Sequence, residues 1–358
     1  MNIKKVFILA AAFGLLWLLF RSTGCQSRRK TASSGTLPPA VLSIMSYNVE
    51  NLFDTLDDPR TDDEEFLPDS DKRWNAARYH TKIKALAQVI ADAGPPVLVG
   101  LVEVENDRVL NDLAGALRRL TERDFEIVHY DSRYHRGVDV ALLYNADVVT
   151  LLESHPIPVE KPGDFVSRDI LHARVKVRRG ALSDTFDVFV NHWPSRRSGK
   201  AQSEYRRVVA ARALSEAVQQ VMQQNPHAEV IIMGDFNDEP DDRSIQQVLG
   251  AGPPKAHTPL VSLMWAAVRK GEGTYRYKSA WDILDHFIVS RQVLEPEGFY
   301  VAEPRARIFK EDRLLEQDER YGGERPNRTY YGPRYHGGVS DHLPIVLRLV
   351  PAGTNKAR

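Results

Sequence analysis

From residue 41 onward the apolar positions of this chain switch repeatedly between two periods. Short Val/Ile/Leu runs of strand length are separated by stretches with apolar residues at helical spacing. Residues 41–48 read as a strand. Residues 79–91 place Ile83, Leu86, Ala87 and Ile90 on one helix face, and the Val-rich run 97–104 is a strand again. Residues 107–120 return to helix through Val109, Leu110, Leu113 and Leu117. Strands are predicted at 125–130, 138–144, 170–177 and 185–191, a long helix at 203–223 and a buried strand at 229–235. Pro240 followed by Asp241 and Asp242 predicts a helix start, with proline early and acids in the first turn. Late strands are predicted at 284–290 and 343–350. With no long linker after residue 40, the pattern gives one α/β (α+β) domain over 41–350 and a tail at 351–358.

The most informative segment is VIIMGDFNDEP, residues 230–240. Val230, Ile231, Ile232 and Met233 are apolar on both faces of a strand, as in a sheet covered on both sides. Gly234 has no Cβ, so a neighbouring backbone or a ligand can approach closely there. If the chain stays extended, Asp235 and Asn237 share a face. An ionisable acceptor beside a neutral amide donor suits attack on a charged phosphorus centre.

Composition adds bounds. A formal net charge of +0 gives no global attraction to nucleic acid or anionic lipid, so any attraction to such a partner is local. The N-terminus differs from the rest. Lys4 and Lys5 precede an unbroken apolar stretch, residues 6–20, of leader length and short of the roughly 20 residues of a spanning helix. Cys25, the one cysteine, follows Ser22-Thr23-Gly24, as in a bacterial lipoprotein cleavage box. Arg21, Ser22 and the cations Arg28, Arg29 and Lys30 depart from that pattern and suit an uncleaved signal anchor instead. Residues 1–25 are therefore expected to be a leader or membrane anchor and 26–40 a flexible tether. The expected location is the bacterial envelope; the lipoprotein reading places the catalytic domain outside the cytoplasm, whereas the leader itself leaves its side of the membrane open. With a single cysteine the domain needs no disulfide.

Polar residues recur where apolar strands end. Asn48 follows the first strand, Glu103 closes LVGLVEVEN, and Asn191 and His192 close VFVNHW. Asp285 lies in WDILDHFIVS, and Asp341 and His342 lie in GVSDH. Singly each is weak; together and in this order they resemble the endonuclease/exonuclease/phosphatase superfamily over residues 42–349. GDFN and SDH are the most specific parts. MSYNVENLFD and NHWPSR are most similar to its bacterial exported, nuclease-like members.

That resemblance implies a four-layer sandwich of two packed mixed β-sheets flanked by helices, with the active site at one edge. It implies a Mg²⁺- or Mn²⁺-dependent phosphodiesterase, with Glu103, Asn48 and Asp341 at the metal. By the same resemblance His192 contacts the scissile phosphate and Asp235 aligns or deprotonates the attacking water. Asn237 binds a phosphoryl oxygen or orients the base, and Asp285 fills the acid position of a late strand. Asp341 orients His342, which binds or protonates the phosphate. His286 stands where the family commonly has tyrosine. The chemistry is consistent: Mg²⁺ takes only one or two protein carboxylates, and no H-E-x-x-H or clustered Cys/His spacing suggests zinc.

Other residues carry two readings. Arg136, beside Gly137, is either a phosphate ligand or a surface arginine. The loop 193–200, with Arg196, Arg197 and Lys200, either grips a nucleic-acid backbone or is solvated. Asn48, Arg136, Asn191 and Arg196 are the expected substrate contacts. The acidic segment 54–71 reads as a solvated loop, without EF-hand spacing. Glu105 reads as a surface acid or a second metal ligand. Segment 305–336, rich in Arg and Tyr, suits stacking on unpaired bases or ordinary packing. The expected substrate is DNA or RNA, with a small phosphoester (phosphoinositide, sphingomyelin-like lipid or nucleotide) as the alternative, and a catalytically inactive binding protein as the reading of another class.

Overall fold

The structure is a computed structural model that describes residues 41–353. The leader, the tether and residues 354–358 lie outside the described residues. The principal strands are β1 (Leu42–Leu52), β2 (Leu98–Val104), β3 (Phe125–His129), β4 (Asp139–Asn145), β5 (Val149–Ile157), β6 (Ile170–Arg179) and β7 (Leu182–His192). They continue with β8 (Glu229–Asp235), β9 (Leu260–Ser262), β10 (Asp285–Ser290) and β11 (Ile345–Pro351). Three long helices, α1 (Ala76–Asp92), α2 (Asp107–Thr121) and α3 (Lys200–Gln224), account for the helical periodicity.

These elements build the four-layer sandwich. One seven-stranded sheet runs β11-β1-β2-β4-β3, with short strands added at β11. The other runs β9-β10-β8-β7-β6-β5, with Ala251–Gly252 beyond β9. Both mix parallel and antiparallel pairs: β1 with β2 and β7 with β8 are parallel, while β1 with β11 and β8 with β10 are antiparallel. Three apolar cores separate the four layers. Leu98, Leu142, Val188, Ile231 and Phe287 fill the space between the sheets. Ile83, Leu86, Leu110 and Leu113 seal α1 and α2 onto the first sheet, and Leu214 and Val218 seal α3 onto the second. Gly100 of β2 makes room for the Met233 side chain, since a Cβ there would lie 2.9 Å from its thioether.

Helix starts follow their caps. Asn75 accepts from the N–H groups of Ala77 and Arg78, and Asn106 from those of Arg108 and Val109. One local expectation fails, and one strand was not foreseen. The helix expected after Pro240 is only the five-residue π-turn Ser244–Val248, because Asp242 accepts the Glu239 N–H and pairs with Arg196 and Lys200. Strand β5 carries Pro156 and is exposed along much of its length, as an edge strand of its sheet.

Candidate active site

Two bulges and one row of aligned strand ends create the site. On β1, Glu50 and Asn51 both adopt left-handed backbone at φ 52°, and on β2 Glu103 does so at φ 68°. The pairing of β1 with β2 shifts register here. The bulge turns the Glu103 carboxylate toward the site, where Oε2 accepts the Asn51 N–H at 2.8 Å and Oε1 accepts Asn48 Nδ2 at 3.3 Å. Asn48 Nδ2 also reaches Asp235 Oδ2 at 3.0 Å, tying the two sheets together.

On the second sheet, Asp235 is registered with His192 on one side and Asp285 on the other. Three functional positions therefore form one rung across β7, β8 and β10. Gly234, one residue earlier, has φ 134°, and a Cβ there would lie 2.0 Å from the Asn191 carbonyl oxygen. The close approach expected at this glycine is thus made by a neighbouring backbone. Beyond Asp235 the chain turns instead of staying extended. Asn237 has φ 50°, and its N–H donates to Asp235 Oδ1 at 2.9 Å. Its Nδ2 donates to the Trp193 carbonyl at 3.0 Å, so the shared face expected from strand alternation is replaced by an Asx turn that fixes Asp235.

Two histidines face Asp235 Oδ2: His192 Nε2 at 3.8 Å and His342 Nε2 at 3.7 Å. Their electrostatics are opposite. Burial holds His192 well below its ordinary value, with Arg168, His342 and Arg136 adding to the effect. Its Nδ1 is buried without a hydrogen-bond partner. His342 is also buried, but Asp285 Oδ2 accepts from its Nδ1 at 2.7 Å. Asp285 and then Asp235 hold it well above the ordinary value against the effect of burial. Asp235 itself is pushed up to about 7, first by burial and then by Asp285 and Glu103, with His342 opposing. The arrangement gathers around one small space a histidine whose charged form is favoured, one whose neutral form is favoured and a carboxylate pushed up to about 7.

The remaining expected residues divide. Asp341 does not hold His342: its Oδ2 pairs with Arg328 at 2.9 Å, and Asp285 has the orienting position. Asn191 is fully buried, its Oδ1 accepting the Trp193 indole N–H at 3.1 Å and its Nδ2 facing the Met233 carbonyl at 3.3 Å. It braces β7 against β8, with both side-chain polar atoms bonded within the protein. Arg196 pairs with Asp242 at 2.9 Å and Asp238 at 3.4 Å, so the cation expected to grip substrate is held within the protein. Arg136 donates to Asn51 Oδ1 at 2.7 Å, beside the bulge. His286 Nε2 donates to the Asp238 carbonyl, 2.8 Å away, and burial lowers it to about 4, so it is a packed neutral ring. Glu105 is buried rather than on the surface, and its Oε2 accepts the Asp54 N–H at 2.6 Å. The acidic loop is accordingly anchored at Asp54, while Asp63, also buried, accepts the Asp58 N–H at 3.0 Å.

Sequence reasoning missed four contributors. Arg168 is buried with its guanidinium 4.0 Å over the Tyr134 ring, and it adds positive field at His192. Tyr275 packs against His342 at 4.9 Å. Arg328 bridges Glu50 and Asp341 at 3.2 and 2.9 Å. Lys82 of α1 is fully buried and donates to the Glu50 carbonyl, Thr329 Oγ1 and the Val339 carbonyl. It thereby joins the β1 bulge to the segments preceding His342. None of these lies beside a distinctive motif, and only the Arg/Tyr-rich composition of 305–336 pointed toward Arg328.

A profile of the endonuclease/exonuclease/phosphatase family matches residues 43–350. The chain belongs to the endonuclease/exonuclease/phosphatase family. Solved structures share the family fold at low identity. A family protein from Bacteroides thetaiotaomicron matches at 16% identity and TM-score 0.52, covering 88% of this chain and 99% of its own. A mannosyl-6-phosphatase from Bacteroides thetaiotaomicron VPI-5482 matches at 16% and 0.53, covering 86% and 99%. TDP2 from C. elegans matches at 17% and 0.51, covering 87% and 75%. No curated protein matches the chain.

Family membership makes this a metal-dependent phosphoesterase scaffold. The donor set fits a hard divalent cation: Glu103 offers a partly exposed carboxylate held by two N–H donors, with oxygen-rich neighbours and no thiol. Among the described residues a separate grouping, His129, Asp131 and Asp139, brings ligand atoms within 4.8 Å of one another, at the facing ends of β3 and β4.

Proposed function

We propose that this protein is a Mg²⁺- or Mn²⁺-dependent phosphodiesterase that hydrolyses nucleic acid, DNA or RNA. The observation that carries the reading is the rung His192–Asp235–Asp285 closed by His342, with two histidines facing one carboxylate. Glu103 and Asn48 would hold the cation, whose bound charge would offset that of the phosphate. Asp235, fixed by Asn48 and by the Asn237 N–H, aligns water and accepts its proton. Neutral His192 donates a hydrogen bond to a phosphoryl oxygen. His342, kept protonated by Asp285, supplies positive charge and a proton to the phosphate side of the reaction. Buried Arg168 and half-buried Arg136 reinforce the positive field at the His192 side of the site.

A phosphomonoester is the second reading, supported by the mannosyl-6-phosphatase among the fold neighbours. The apolar N-terminal run and Cys25 support an anchored location at the bacterial envelope, with the domain outside the cytoplasm.

The test uses the full-length protein in detergent with plasmid DNA, single-stranded RNA, and a phosphoinositide, sphingomyelin and sugar-phosphate panel, with Mg²⁺, Mn²⁺ or EDTA. The expected result is EDTA-sensitive strand cleavage that Asp235→Asn abolishes and that Glu103→Gln makes dependent on higher metal concentrations. Release of phosphate from a small ester, with nucleic acid intact, would replace the nuclease reading with the second.

A further inference from the structure

The loop after His192 carries two adjacent arginines with opposite surroundings. Arg196 is neutralised by the Asp238, Asp242 and Asp282 carboxylates at 3.4, 2.9 and 3.7 Å. Arg197 is exposed, and among the described residues no hydrogen bond or ion pair engages it. It lines two clefts at once. One, of about 180 Å³, also contains Asn51, Lys72, Arg136, Arg328 and Tyr330. The other, of about 520 Å³, contains Tyr134, Phe165, Arg168 and Arg206.

The charges of the smaller cleft do not balance. Lys72, Arg136, Arg197 and Arg328 line it against the acids Glu50 and Glu65, and Arg328 also pairs with Asp341 at 2.9 Å. Lys72 is matched by Glu65 at 3.0 Å and Arg328 by Glu50 at 3.2 Å. The excess therefore belongs to Arg136, which donates to the neutral Asn51 amide, and to Arg197. Guanidiniums without carboxylates, beside a cleft, suit a phosphate: the planar fork matches its oxygens. The cleft includes Glu50 and Asn51, the bulge whose Asn51 N–H holds Glu103, so an anion there sits immediately beside the catalytic centre.

We propose that Arg136 and Arg197 form a subsite for the phosphate adjacent to the scissile one, making a nucleic-acid strand with consecutive phosphates the preferred substrate. This rests on the phosphodiesterase reading above. Arg197 lies between the two clefts, so a strand crossing the site has a cationic surface on either side of it. The larger cleft offers Tyr134 and Phe165 beside Arg168 and Arg206, a composition suited to unpaired bases.

The test compares three substrates in Mg²⁺ or Mn²⁺: bis(4-nitrophenyl) phosphate, which has only the scissile phosphate; a single-stranded oligonucleotide with one labile linkage; and the same oligonucleotide with a neutral methylphosphonate at the neighbouring linkage. For the wild type, the methylphosphonate should lower kcat/KM about tenfold, the scale of one charge-assisted contact. In Arg197→Gln the normal oligonucleotide should lose about the same factor, and the methylphosphonate should then cost little more. Wild-type indifference to the methylphosphonate, with both diesters cleaved, overturns the subsite while leaving the phosphodiesterase reading intact. Failure to cleave either diester overturns that reading instead. With an inositol bisphosphate run in parallel as a fourth substrate, an Arg197-dependent preference for it over the oligonucleotide would overturn the nucleic-acid assignment.

Discussion

Replacing Gly234 by alanine tests how the catalytic rung is spaced. The backbone there has φ 134°, and the added Cβ would meet the Asn191 carbonyl oxygen at 2.0 Å. Relief requires β7 and β8 to part by about an ångström beyond their present spacing, against a parallel ladder that runs from Glu229 to Asp235. Glycine-only backbone costs roughly 1–3 kcal/mol for another residue, and one weakened ladder bond adds about 1 kcal/mol. The expected destabilisation is about 2–4 kcal/mol. For a domain of this size the unfolding entropy near Tm is about 0.65 kcal/mol/K, so Tm should fall by about 3–6 °C. Activity should fall further, about a hundredfold in kcat, because Asn191 immediately precedes His192 and Gly234 immediately precedes Asp235. Gly180→Ala is the control: its φ is 63°, but nothing lies within 4 Å of the added Cβ. Thermal denaturation and turnover of a chromogenic diester measure both effects. A Gly234→Ala variant that melts within 1 °C of wild type and keeps its kcat would refute the argument.

Two further substitutions probe the charges around the site. Asp285→Asn removes the largest contribution that raises His342, so the basic limb of the pH–rate profile should move to lower pH and kcat should drop about 10²–10⁴-fold; an unmoved limb would exclude Asp285 as the partner that keeps His342 charged. Lys82 is lowered to about 8 by burial, so between pH 8 and 10.5 the unfolded chain holds more protons and this group's contribution to stability rises with pH. Measured by urea unfolding, the wild-type advantage over Lys82→Met should grow by up to about 3 kcal/mol from pH 7 to 10.5, and a flat difference would contradict the buried ammonium.

The layers and the catalytic strand ends were legible because apolar periodicity and strand-end polarity are local signals. Val230 to Met233 are fully buried, and the interruption at Gly234 coincides with the rung it permits. Features set by contacts distant in sequence were not legible. The choice of Asp285 over the adjacent Asp341 as partner of His342 depends on β10 lying beside β8, and the sequence places Asp341 nearer. The contrast between Arg196 and Arg197 depends on acids that follow Asp235, some 40 residues away along the chain. Asn237 illustrates a different limit: alternation holds only while the strand lasts, and an Asx turn begins as soon as Asp235 is reached.

The rung also explains why two histidines in one small space need not share a protonation state. Each imidazole lies just under 4 Å from Asp235 Oδ2, so that carboxylate alone cannot separate them. The difference lies behind the rings. His342 has Asp285 at Nδ1, whereas His192 has a buried, unpartnered Nδ1 and the positive field of Arg168 and Arg136. Adding a proton to His192 would place like charges together in a desolvated site; adding one to His342 completes an ion pair. We infer that His342 is the proton donor of the proposed reaction and His192 a neutral hydrogen-bonding group. The asymmetry is maintained by residues distant in sequence from the two histidines, so exchanging only the histidines' immediate neighbours in sequence would not exchange their roles.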